Sequence, residues 1–235
     1  MLQHITENEV RTKRLTKELL LRVVSGVKPM WNQANEALLG IRTTAESQGI
    51  GDCAGWWKGE RSERARHDDN FEYATVDYWN VRKVISILKP GPEDVFYDIG
   101  CGMGRIVCSM ARKSVKKCVG IELLEPLCEK ARANAAHLRG RKSPIEIICN
   151  DAASADVSDG TIYWLFNPFG ESTLRETLAN IRCSLRENPR RIRAVYYNST
   201  CEQVFLGAGW LHKTREFRAP GGLLVTFWEN LDLDM

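Results

Sequence analysis

From about residue 75 to the C-terminus, the apolar positions switch repeatedly between two rhythms. Short runs in which nearly every residue is apolar alternate with stretches where apolar residues recur every three or four positions. The first rhythm predicts strands over Asp94–Ile99, Lys117–Glu122, Ile145–Cys149, Thr161–Phe166 and Ile192–Asn198. After its first residue the run "TIYWLF" is continuously apolar, as a parallel strand covered on both faces requires. The second rhythm predicts helices. Val81, Val84, Ile85 and Leu88 form one stripe, ended by "PGP" at 90–92. Leu127, Ala131, Ala135 and Leu138 form another, with Pro126 tolerated in its first turn. Leu174, Leu178, Ile181 and Leu185 form a third, where Thr173 and Glu176 can make a capping box. Strands alternating with helices imply right-handed crossovers and a parallel sheet.

The rhythm changes at both ends. "WLHKTREF" and "GLLVTFWEN" leave no room for a helix between them and are joined by "RAPGG", so they are expected to pair as an antiparallel hairpin. Upstream, Leu20, Val23, Val24 and Val27, then Trp31, Ala34, Leu38 and Ile41, read as helical stripes. Residues 46–70 break that pattern and read as loop. The expected fold is therefore α/β: a Rossmann-like, mostly parallel sheet closing with a C-terminal antiparallel hairpin, plus an N-terminal helical extension. The expected division is an extension or lid over 1–70 and a core over 71–235.

Composition narrows the class. The 235 residues are 43% hydrophobic and 27% charged, with mean hydropathy −0.32 and no run of the roughly 18 apolar residues a spanning helix needs. No membrane association is expected. The start, "MLQHITENEV", lacks the basic-then-apolar form of a secretory signal. A net charge of +3 does not point to nucleic acid, and the clusters "ARKSVKK", "RGRK" and "NPRRIR" read as solvated surface. The eight cysteines are scattered without a C-x-x-C, and the four histidines are equally dispersed. That pattern predicts a reducing, cytoplasmic location and no zinc site.

The candidate chemistry lies at the strand ends. "VFYDIGCGMGRIVCSMAR" places Asp98, Gly100, Cys101, Gly102 and Gly104 between a strand and a helix. There, backbone N–H groups and a positive helix end can meet a ligand. A dinucleotide fingerprint is G-x-G-x-x-G, whereas here the third glycine comes one residue early, which counts against NAD. Glu122 closes the second strand, where an acid would hold ribose hydroxyls. Asp151 and Ala152 follow the third strand, and Asn167-Pro168-Phe169 follows the fourth.

On these residues the sequence resembles the class I, seven-strand S-adenosylmethionine-dependent methyltransferases over about residues 70–230. The resemblance implies S-adenosyl-L-methionine as cofactor. Asp98, Gly100, Gly102 and Gly104 match the family's D-x-G-x-G-x-G signature and would line the methionine part. Glu122 matches the ribose acid, and Asp151 with Ala152 the adenine-binding turn. Asn167, Pro168 and Phe169 fall at the catalytic edge. A nearer similarity is to a bacterial group with Y-x-x-x-x-Y before the first strand (Tyr73 to Tyr78) and FNPFG after the fourth (Phe166 to Gly170). That group is in turn similar to the seven-strand histone-lysine methyltransferases. This sequence departs from those by Pro168 and by lacking a nucleosome-binding extension, so the implied acceptor is a protein amine other than histone, or a small molecule.

A neutral amine carries its own lone pair, so its methylation needs orientation and desolvation more than a strong base. Asn167, Pro168 and Phe169 resemble the N-P-P-Y/F edge of amino-group methyltransferases with one proline missing, which implies that the Asn167 side chain and a backbone carbonyl hold the amine and the Phe169 ring faces the nascent cation. Tyr73 could touch the cofactor, and Trp56, Trp57, Tyr73 and Tyr78 could form an aromatic wall where this fold places its lid. The alternatives are an O-methyltransferase of a small molecule, or a non-catalytic cofactor-binding subunit that activates a partner. A metal-dependent O-methyltransferase would want Asp where Asn167 stands.

Overall fold

The computed structural model describes residues 29–44, 65–71 and 73–230. The stripe Leu20–Val27 and the pair Trp56-Trp57 lie outside them. Residues 29–39 are helical (α1), followed by α2 (Tyr78–Leu88), β1 (Val95–Ile99), α3 (Arg105–Met110), β2 (Lys117–Glu122) and α4 (Glu125–His137). Next come β3 (Ile145–Cys149), β4 (Ile162–Phe166), α5 (Glu171–Glu187), β5 (Arg193–Tyr197) and α6 (Glu202–Leu206). The chain then forms β6 (Leu211–Arg218) and β7 (Leu224–Asn230). All five expected parallel strands are present, within a residue at each end. The expected hairpin is β6–β7.

The seven strands form one sheet in the order β3-β2-β1-β4-β5-β7-β6. The first five are parallel, and β7 runs antiparallel between β5 and β6. Because side chains alternate across a strand, each central strand feeds two cores. Phe96, Trp164, Val195 and Phe227 face α2 and α3, while Tyr97, Ile99, Tyr163, Leu165 and Tyr196 face α5 and α6. The order reverses between β1 and β4, and the crevice beyond their carboxyl ends is the place such a sheet offers a ligand.

Two local expectations are corrected. Of the stripe Trp31, Ala34, Leu38 and Ile41, Ile41 alone is buried, and it follows the end of α1; Trp31 is 44% exposed and Leu38 64% exposed, while Asn35, Glu36 and Leu39 are buried. The polar inner face exists because Glu36 meets Arg105, the first residue of α3. Arg105 Nη2 lies 2.9 Å from Glu36 Oε1, with both side chains almost fully enclosed. Arg105 Nε also donates to Thr43 Oγ1 at 2.7 Å and Nη1 to the Val76 carbonyl at 3.0 Å, and its guanidinium lies 4.7 Å from the Tyr78 ring centroid.

The capping box at Thr173 and Glu176 does not form. Helix α5 begins three residues earlier than that box requires, after Gly170, which has no side chain to cap it. The cap comes from Asp69: its Oδ2 accepts from the N–H groups of Ser172 (3.1 Å) and Thr173 (3.2 Å), and Oδ1 from the Thr173 hydroxyl. Glu176 instead accepts from Arg66 Nη1 (3.2 Å) and pairs with His67 Nε2 (2.9 Å).

Candidate active site

A cleft of about 440 Å³ opens at the carboxyl ends of the parallel strands. Its floor comes from the turns after β1 and β2, its far wall from the turns after β3 and β4, and its roof from Asn70, Phe71 and Tyr73. Of the expected site residues, Tyr73, Gly100, Gly102, Glu122, Asp151, Ala152, Asn167, Pro168 and Phe169 all line this one space. Asp98, Cys101 and Gly104 do not: Asp98 is enclosed behind the loop against α3, Cys101 is a buried residue of the loop, and Gly104 caps α3.

The loop packs against its roof with no room for a side chain. Gly102 has φ of +53°, and a Cβ there would stand 2.2 Å from Tyr73 Cε2. A Cβ on Gly100 would stand 2.5 Å from Pro168 Cβ. Close approach and positive φ thus both demand glycine at 102. Tyr73 is fixed by its hydroxyl, which donates to the Thr43 carbonyl at 2.5 Å. Asn134 of α4 holds the same N-terminal segment. Its Nδ2 donates to the carbonyls of Arg42 and Met103, and its Oδ1 accepts from the Arg42 N–H, each at 2.8 Å. The N-terminal segment therefore forms part of the cleft's support.

The acids occupy two layers. Glu122 is buried, and its Oε2 accepts from the Gly102 N–H at 2.8 Å, while Oε1 accepts from Leu123 (2.9 Å) and Leu124 (3.1 Å). Burial pushes its carboxyl pKa up, against the opposing pull of these three N–H donors. Asp98 is enclosed behind the loop, and its Oδ2 accepts from the Val107 N–H of α3 at 3.2 Å. Burial, reinforced by the negative charge of Glu122, pushes Asp98 up to about 8. Asp151 sits in a turn, accepting from Ala153 N–H at 2.8 Å and from Arg66 N–H at 2.9 Å.

The strand-four edge is strapped from outside. Asn70 bridges Phe169 in an antiparallel contact, Phe71 N–H donates to the Pro168 carbonyl at 3.0 Å, and Gly170 N–H donates to the Asp69 carbonyl at 2.7 Å. Asn167 adopts φ of +40°, a left-handed conformation that asparagine tolerates better than most residues. Its Oδ1 accepts from the Tyr196 hydroxyl (2.9 Å) and from the Thr200 hydroxyl (2.6 Å). Phe169 is only 4% exposed and packs mainly into the core under α5.

Tyr78 is not part of an aromatic wall at the cleft. It is buried between α2 and α3, where burial raises its hydroxyl pKa to about 12. Asn70, Phe71, Asn150, Phe166 and Asn198 line the cleft without having been expected from the sequence. Arg105 was missed as well, although a cation opening a helix faces the positive end of the dipole and so needs an acidic partner. Among the described residues, no three His, Cys, Asp or Glu side chains converge as metal ligands. No described helix is long and apolar enough to cross a membrane.

The residue types fit an adenosine-bearing ligand with a charged tail: a buried carboxylate at the β2 end, an acid and a small residue in the β3 turn, and a glycine floor that no Cβ obstructs. Comparison with known proteins agrees with that fit. Residues 96–188 match the family described as a methyltransferase domain. The chain is similar to a protein-lysine N-methyltransferase of Saccharolobus islandicus, 35% identical over 89 residues, covering 37% of this chain and 53% of that protein. It is also similar to a histone-lysine N-methyltransferase, H3 lysine-79 specific, of Caenorhabditis elegans. That match is 44% identical over 62 residues, covering 25% of this chain and 7% of that protein. The chain thus spans about half of the first relative and a small part of the second. Among solved structures, an RNA methyltransferase from Salinibacter ruber in complex with S-adenosyl-L-homocysteine superposes with a TM-score of 0.51. It is 25% identical and covers 69% of this chain and 100% of that one.

Proposed function

We propose, from the premise that residues 96–188 are a methyltransferase domain on a class I S-adenosylmethionine-dependent methyltransferase fold, that this chain transfers the methyl group of S-adenosyl-L-methionine to an amine. The acceptor is a protein side chain or a small molecule. The observation that carries the reading is the convergence of Gly100, Gly102, Glu122, Asp151 and Asn167 on one cleft at the β1/β4 reversal. Similarity to a protein-lysine N-methyltransferase supports the amine.

When bound, the cofactor supplies an electrophilic methyl group on a sulfonium; the protein's part is placement and exclusion of water. Glu122 would hold the ribose hydroxyls, Asp151 and Ala152 the adenine, and the floor at Gly100 and Gly102 the methionine end. Tyr73 and Phe71 roof the cleft. With Asn167 Oδ1 already accepting two hydroxyls, an amine N–H at this edge would be accepted by a main-chain carbonyl of residues 166–167. Asn167 then serves to set that carbonyl's direction through its left-handed backbone. The Phe169 ring is taken up by the core, so Phe166, half-buried at the cleft wall, would be the aromatic nearest the cation that forms.

The test is methyl-label transfer from S-adenosylmethionine into cell lysate, resolved into protein and small-molecule fractions and hydrolysed to identify the labelled atom. Label recovered as methyl-lysine or another N-methyl amine supports the reading. Label on oxygen overturns the amine assignment. Tight cofactor binding with no label in any fraction favours a regulatory subunit.

A further inference from the structure

A second cavity, of about 520 Å³, lies at the opposite edge of the sheet from the candidate active site. It is bounded by the segments that lead into β1, β2 and β3, whereas the active-site cleft is bounded by the segments that leave those strands. Five-residue strands put roughly 17 Å between the two edges, so an occupant of one does not touch the other.

The chemistry of this cavity is one-sided. Arg82, Lys89, Arg112, Lys113 and Lys142 converge on it, and none of its described lining residues is Asp or Glu. Among the described residues, Lys89, Arg112, Lys113 and Lys142 form no ion pair, whereas Lys117, Arg132, Arg175 and Arg193 each do. Arg112 lies over Gly140, where a Cβ would stand 3.3 Å from Nε and Nη2, and Arg82 is held by Asn35 Oδ1 at 2.5 Å. Leu39, Tyr78 and Ile85 supply an apolar back wall.

Helix dipoles account for part of this charge. Lys89 follows the C-terminus of α2, and Arg112 and Lys113 follow that of α3, where cations are favoured. They do not account for Arg82 in the second turn of α2, nor for Lys142 in the approach to β3. Five like charges around one concavity repel one another and focus a positive potential into it. We propose that this cavity is a binding site for a small polyphosphate group, carried by a nucleotide or free as inorganic polyphosphate. A single phosphate is matched by two or three cations; five in one pocket match a di- or triphosphate. Convergence in a pocket, rather than a stripe along a face, separates this site from a track for a nucleic-acid backbone. The proposal is independent of the methyl-transfer reading.

The experiment is calorimetry on the full chain with four probes: sodium tripolyphosphate, ATP, adenosine and a single-stranded oligouridylate of about 20 nucleotides, a length chosen to exceed one site. With the active-site cleft saturated by S-adenosylhomocysteine, expected is saturable one-to-one binding of tripolyphosphate and ATP, and none of adenosine. Equal affinity for the first two assigns the site to the polyphosphate alone; tighter ATP assigns it to a nucleotide packed on the apolar wall. The double variant Arg112→Gln/Lys142→Gln removes two exposed cations and should weaken both by about 100-fold. The charge-retaining Arg112→Lys/Lys142→Arg should stay within about tenfold of the parent. S-adenosylhomocysteine affinity in both variants serves as the measure of an intact fold and should not change. The proposal is overturned by no saturable polyphosphate binding, by binding indifferent to the double Gln variant, or by oligouridylate binding tighter than tripolyphosphate.

Discussion

At the scale of single residues, the site depends on a missing side chain and on enclosed carboxyls. Gly102→Ala drives a methyl group into the Tyr73 ring and into an unfavourable backbone conformation. We expect S-adenosylhomocysteine affinity, measured by calorimetry, to fall at least about tenfold, a cost of about 1.4 kcal/mol. Asp98 makes a pH prediction whose sign is fixed. Its folded-state carboxyl titrates at about 8, against about 3.9 in an unfolded chain, so the folded form holds the proton more tightly. Its contribution to stability is complete below the unfolded value and is lost as pH rises toward the folded one. Asp98→Asn keeps an oxygen for Val107 N–H and removes the titration. The difference in melting temperature between variant and parent should therefore grow in the variant's favour from pH 5 to pH 8. A gap that stays constant over that range would mean Asp98 does not titrate there.

Among the elements, those that support the cleft are joined by buried polar contacts between segments far apart in sequence. Arg105→Met leaves Glu36 enclosed without its cation, which costs roughly 3–5 kcal/mol in a chemical denaturation series. Arg105→Met/Glu36→Met should recover much of that loss, because a pair replaced by apolar groups leaves no unmatched charge. These contacts also mark the limit of what the sequence carries. The glycine loop, Glu122 and Asp151 were legible because a turn next to a ligand demands particular residue types at short fixed spacings. The inner face of α1 was not: Asn35 and Glu36 look like solvent positions until Arg105, 69 residues away, is brought against Glu36. The cap of α5 was hidden likewise, since Asp69 reaches Ser172 and Thr173 across more than a hundred residues. The basic cavity draws on three separate segments, each of which reads alone as ordinary surface.

For the whole molecule, the sheet is stiffest at its centre and softest at its two edges. Strands β1 and β4 are buried along nearly their full length, whereas β3 is half-exposed and β6 is exposed at most positions. Native-state hydrogen exchange should therefore show amides of β1, β4 and β5 exchanging only with global unfolding. Those of β6 and β3 should exchange through smaller openings. Uniform protection across all seven strands would contradict this gradient. The parallel strands were readable from apolar rhythm, since a buried strand and an amphipathic helix have different periods, and the terminal hairpin from the turn-rich loop between two strand-like runs.

The cap that Asp69 gives to α5 has a consequence for traffic through the cleft. Residues 69–71 both hold the start of that helix and run into the roof, so the roof cannot swing aside without stripping two helix N–H groups of their acceptor. Gly170 admits this arrangement: a Cβ there would lie 3.0 Å from Asp69 Oδ2. Displacing the roof would therefore cost at least the loss of this cap, about 1 kcal/mol, besides the Phe71–Pro168 and Gly170–Asp69 hydrogen bonds. An Asp69→Ala chain should melt earlier by that amount and release S-adenosylhomocysteine faster in stopped-flow measurements.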